Sequence, residues 1–136
     1  MNRILVAGAS VMAALCTAYS FYSSMGVQSA SLIFAHDVYF TLNESTPETR
    51  QQLVEACQTY LSGHDGTVFF ATGTRATGKT RDVNDEDFDV SLHLYFRDEA
   101  AHDAYQEHAR HKAFIEKMSS NWKTVRVFDS RVRTGP

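Results

Sequence analysis

The chain has 136 residues, room for one domain, and its 13 Lys and Arg against 16 Asp and Glu give a formal net charge of −3. An acidic chain without a basic stripe argues against nucleic acid as a partner. Of its two cysteines, Cys16 lies in an N-terminal stretch unlike the rest, so the folded part has Cys57 alone and no intrachain disulfide.

From Ile4 to Ala35 there is not one charged side chain. Arg3 followed by the apolar run Ile4 to Leu15 has the form of a secretory signal, with small-residue cleavage sites at Cys16-Thr17-Ala18 and Val27-Gln28-Ser29. If uncleaved, Ile4 to Tyr22 is just long enough to span a bilayer as an anchor. Residues 1–33 are therefore expected to be a signal peptide or membrane anchor, and residues 34–133 the domain. The protein is expected to be exported, periplasmic or extracellular, or anchored by residues 4–22. Membrane contact comes only through that segment. Without Arg3 the domain carries 12 basic against 16 acidic side chains, or −4, and about 100 residues support a modest core.

Phe34 to Leu42 alternates with period two and predicts a strand, with His36, Val38, Phe40 and Leu42 on one face and Ala35, Asp37, Tyr39 and Thr41 on the other. Asn43 to Pro47 is turn chemistry. Ser45 or Thr46 can cap the helix that follows, and Glu48 can complete a capping box with Ser45. That helix places Leu53, Val54, Cys57, Tyr60 and Leu61 on its apolar side and ends at Gly63. On that side Cys57 reads as a small buried hydrophobe.

Thr67 to Thr72 predicts a second strand. A polar loop from Thr74 to Asp87 leads into Phe88 to Phe96, where Phe88, Val90, Leu92, Leu94 and Phe96 share one face. Asp98 caps a helical region, expected in two pieces, in which Ala101, Tyr105 and His108 lead to Phe114, Ile115 and Met118. Trp122 to Val132 is the last strand. The order β-α-β-β-α-β is that of a ferredoxin-like α+β fold, an antiparallel sheet with helices on one face. Because Tyr39, Phe69, His93 and Tyr95 make the uncovered face partly aromatic, a second copy packed sheet against sheet is the simplest cover, and a homodimer is expected.

Several motifs in this order resemble the stress-response A/B barrel (Dabb) family. They are His36-x-Val38-x-Phe40, Gly73 after the second strand, the aliphatic third strand ending in Phe96, Tyr105-x-x-His108-x-x-His111-x-x-Phe114, and Val127-Phe128-Asp129. The likeness runs from His36 to about Val132 and implies a dimeric α+β barrel. Relatives often carry proline where this chain has Ala109, which permits the helix to continue. The 74–87 loop is also longer and more charged than the family's.

Within the family, resemblance to olivetolic acid cyclase aligns a catalytic pair with His111 and Tyr105, and a pocket histidine with His36. A further pocket histidine of that enzyme falls on Val90 here, and His93 faces the opposite side. The resemblance implies a cyclase or lyase with His111 as base and Tyr105 as oxyanion partner, chemistry that suits a near-neutral imidazole and a phenol. The plainer reading makes His36, Tyr105, His108 and His111 a hydrogen-bonded core network. Between these lies the reading adopted: a homodimer with no established catalysis, acting structurally or holding a small apolar or aromatic ligand against His36, His108 and Phe114.

No cofactor is expected. His36, His108 and His111 lack an evident carboxylate or cysteine beside them, so no metal site is expected either. Gly73 to Thr80 matches the phosphate-loop pattern, but the acidic stretch after it does not predict the required helix. Asp85, Glu86, Asp87 and Asp89 lack the ligand alternation and glycine of a calcium loop.

Overall fold

The computed structural model describes residues 32–135. The expected leader and anchor thus lie almost wholly outside the described residues. Among the described residues no helix is long and apolar enough to cross a membrane.

Four strands, β1 (Leu32–Leu42), β2 (Thr67–Thr74), β3 (Val90–Phe96) and β4 (Trp122–Arg133), form one antiparallel sheet in the order β2-β3-β1-β4. Helices α1 (Pro47–Leu61), α2 (Glu99–Glu107) and α3 (Ala109–Met118) cover one face. This is the ferredoxin-like α+β fold read from the sequence.

The period-two pattern did the sorting. Val38, Phe40 and Leu42 of β1 and Val90, Leu92, Leu94 and Phe96 of β3 are buried beneath Leu53, Val54, Cys57 and Leu61 of α1. Burial pushes the Cys57 thiol up to about 12, as expected of a packed, unreactive cysteine.

Local chemistry differs from expectation at three places. The cap of α1 is Thr46, one of the two expected, but the box closes through Thr49 rather than between Ser45 and Glu48: the Thr49 N–H donates to Thr46 Oγ1 (3.2 Å) and the Thr46 N–H to Thr49 Oγ1 (2.9 Å). Ser45 is engaged elsewhere, against the Asp89 carboxylate. β3 starts at Val90, not Phe88. Asp89 instead accepts from the Leu42 N–H (2.8 Å), and the Phe88 ring packs on Tyr39, 5.0 Å away, on the opposite face from Val90. In β2 a register shift between Thr67 and Phe69 leaves both Val68 and Phe69 exposed.

The break between α2 and α3 forms without proline. His108 has extended backbone (φ −66, ψ 140), and its Nδ1 accepts from the Arg110 N–H at 3.1 Å, so one residue ends α2 and caps α3. Arg110 then reaches the end of α1, donating to the carbonyls of Thr59 (2.8 Å) and Ser62 (2.9 Å). It brings positive charge to a helix C-terminus with no basic residue in its last turn. Gly63, at φ +67, turns the chain out of α1 in the left-handed region.

The segment after β2 straps back onto the sheet. Arg126 pairs with Asp85 and donates to the Asp87 carbonyl, which also accepts from the Thr41 hydroxyl at 2.8 Å. No helix starts at Lys79-Thr80, so the phosphate-loop match lacks the structure that would give it meaning.

Candidate functional site

A cavity of about 190 Å³ lies between α2–α3 and the β1–β4 half of the sheet. Its walls include Val38, Phe40, Leu92, Phe114 and Trp122, with His36, Tyr105, Gln106 and His111 as the polar contributors. Its half-exposed wall residues are Ile115, Val125 and Val127. An engineered apolar cavity of about 150 Å³ holds benzene, so this volume matches one aromatic ring.

Tyr105 projects from α2 into the core and is only 2% exposed, with its ring 4.6 Å from His111 and 6.0 Å from His36. Burial drives the phenol above its ordinary value of 10, so it is protonated and a donor at neutral pH. Among the described residues its hydroxyl makes no side-chain hydrogen bond to either histidine.

His111 is half-buried at the start of α3, and its Nδ1 lies 3.0 Å from the Gln106 carbonyl. A carbonyl only accepts, so Nδ1 carries the proton and Nε2 keeps a lone pair. Burial lowers its pKa against the opposing effect of that hydrogen bond, giving a neutral imidazole at pH 7. His36, buried on β1, sets Nδ1 2.6 Å from Oδ1 of Asp129, its cross-strand neighbour on β4. Burial lowers its pKa more than the carboxylate raises it.

Of the residues singled out in the sequence, His36, Tyr105, His111 and Phe114 meet in this cavity. His108 does not. It is exposed at the α2–α3 break, because the extended residue interrupts the helical spacing that would have put it beside Tyr105 and His111. A mutual hydrogen-bonded network of the four is also absent among the described residues: His36 binds Asp129, His111 binds a backbone carbonyl, and His108 caps a helix.

Sequence reading passed over His64 and His102, both buried. His64 follows the end of α1, where no periodicity operates, and bonds Tyr60 O through Nε2 at 2.9 Å. His102 stands three residues before Tyr105, a spacing that places it on the same helix face. Asp129 shares a strand face with Val125 and Val127, but it is the β1–β4 register that sets it beside His36.

The family model for the stress responsive A/B barrel domain matches residues 34–132. No curated protein matches the chain. Among solved structures it is similar to a Dabb family protein with a ferredoxin-like fold from Mesorhizobium loti, at 22% identity and TM-score 0.62, over 76% of this chain and 99% of that one. A dimeric ferredoxin-like protein of unknown function from Thermobifida fusca aligns at 16% identity and TM-score 0.62, over 75% and 92%. The hydroxynitrile lyase of Passiflora edulis aligns at 14% identity and TM-score 0.61, over 78% and 99%. With its model match spanning nearly all of the described fold, the chain belongs to the stress responsive A/B barrel domain (Dabb) family.

Proposed function

We propose that the protein is a homodimer that binds a small, single-ring aromatic or similarly sized apolar molecule in the cavity above β1 and β4. The observation that carries this reading is the cavity itself: mostly apolar walls, one ring's volume, and a few polar groups, Tyr105, Gln106 and His111 from the helices and His36 from the sheet. The dimer rests on the outer sheet face. There Phe69 and Phe128 are 49% and 53% exposed, and Tyr39 is ringed by Phe88, His93 and Phe128 at 5.0, 5.9 and 5.7 Å. The T. fusca structure of the same fold is described as dimeric. Residues 1–33 serve in this reading as an export signal or membrane anchor.

Trp122 is the only tryptophan and lines the cavity, so its fluorescence reports occupancy. Titration with benzaldehyde should give a saturable change that a two-ring compound such as naphthaldehyde does not. Absence of saturation at millimolar benzaldehyde would refute the binding reading. Sedimentation equilibrium tests the dimer, and a monomer at micromolar concentration would refute it.

One observation favours a second reading, lyase or cyclase chemistry: the free Nε2 of a neutral His111 beside a protonated Tyr105. His111 would remove a proton next to a carbonyl while the phenol donates to the enolate oxygen. The wild type should then speed deuterium incorporation into the methyl group of acetophenone in D₂O, and His111→Ala should not. Equal rates for both would remove this reading.

A further inference from the structure

The cross-strand pair His36–Asp129 has a third neighbour from the helical layer. One donor atom from each of His36, His102 and Asp129 lies within 4.8 Å of the others. The three come from β1, α2 and β4, elements tied together by the sheet and the core. We propose that these side chains bind a divalent first-row transition ion, with two imidazoles and one carboxylate as ligands.

Four features carry this. The donor set is that of zinc and ferrous sites, two histidines and one carboxylate with a position left open. At Zn–N distances near 2.0–2.1 Å, tetrahedral ligand edges are about 3.3 Å, a spacing between the 2.6 Å His36–Asp129 contact and the 4.8 Å limit of the set. The surroundings are apolar and aromatic: His102 packs on Phe34 at 4.5 Å and Phe96 at 5.6 Å, with His36 at 4.9 Å. Finally, among the described residues Nδ1 of His102 is buried with no hydrogen-bond partner, on a side chain itself 10% exposed. Asp103 Oδ1, the nearest carboxylate oxygen at 3.4 Å, does not meet it in bonding geometry and belongs to a largely exposed side chain.

Gln106 explains how an imidazole here becomes a ligand. Its amide nitrogen lies 3.1 Å from His102 Nε2. Turning the amide over lets its oxygen accept from Nε2–H, which leaves Nδ1 as a bare lone pair, the outer support that metal-bound histidines commonly have. Asp129 has a half-open side chain, so an ion and its water can enter from the β4 edge. The sequence hid this set because its carboxylate lies 93 residues from His36.

The reading does not depend on the aromatic cavity and is tested without an organic ligand. Tag-free full-length protein, stripped with a chelator, is titrated with Co²⁺ and followed by visible absorption, then with Zn²⁺ as competitor. The proposal expects one Co²⁺ per protomer, ligand-field bands of a low-coordinate site, and displacement by Zn²⁺. Asp129→Asn should weaken binding at least about tenfold and His102→Ala should weaken it further, while His108→Ala, outside the set, should leave the Co²⁺ affinity unchanged. Should His102→Ala fail to fold by circular dichroism, Asp129→Asn decides alone. Absence of saturation at millimolar Co²⁺, or binding as tight in Asp129→Asn as in wild type, overturns the proposal.

Discussion

Replacing Phe114 by alanine tests whether its buried ring forms a packed wall of the cavity. The ring is 2% exposed and stands 6.3 Å from Phe40 and 5.6 Å from Trp122. Truncating a buried Phe to Ala costs about 3–5 kcal/mol, and the upper part applies where neighbours cannot collapse into the space. Here the new void merges with an existing one of about 190 Å³, which offers nothing to collapse with. For a domain near 100 residues, each kcal/mol moves Tm by about 4–8 °C, so the variant should melt roughly 12–40 °C lower. Urea unfolding followed by far-ultraviolet circular dichroism measures the loss. Protomer concentration must be held fixed, because a dimer's stability depends on it. Benzene at saturation should restore part of the loss in the variant. A loss under about 1 kcal/mol with unchanged urea dependence, and no benzene effect, would show that Phe114 does not close this cavity.

Gly66→Ala should destabilise by more than about 1 kcal/mol in urea unfolding, since φ is +80 and the added Cβ would lie 2.5 Å from the Ala101 Cβ. Thr46→Ala removes one half of the reciprocal cap on α1 and should cost about 1 kcal/mol by the same measurement. Tyr105→Phe should change stability by less than about 1 kcal/mol, because among the described residues its hydroxyl has no side-chain partner to lose, yet should abolish any ketone proton exchange. Folding lowers the pKa values of His64 and His111 from 6.5, chiefly by burial, so the unfolded chain takes up protons first as pH falls. Their contribution to stability is complete above pH 6.5 and is lost as pH drops below it, which a series of Tm values from pH 7.5 to 5 should show as a decline. A flat or rising series would contradict the burial of these rings.

The order of elements, the face of each strand and the buried side of α1 were legible because period two and period 3.6 act through neighbours in the chain. Phe88 was misassigned for a reason of the same kind: it continues the alternation of β3, but the Asp89 side chain and the ring of Tyr39 draw it out of register. His108 shows the limit of helical spacing. Its position beside Tyr105 and His111 holds only if the helix continues, and a side-chain cap that looks like any other histidine ends it.

By itself, then, the chain determined its fold class, its family and four of the cavity's polar or aromatic residues, His36, Tyr105, His111 and Phe114. Local periodicity is a property of the backbone repeat and is written wherever the repeat runs. Only the tertiary structure decided which of six histidines share a site. Asp129 meets His36 through the β1–β4 register, and His102 meets both through the packing of α2 on the sheet. Those contacts join residues far apart in sequence, and no repeat of the backbone encodes a distance between separate elements.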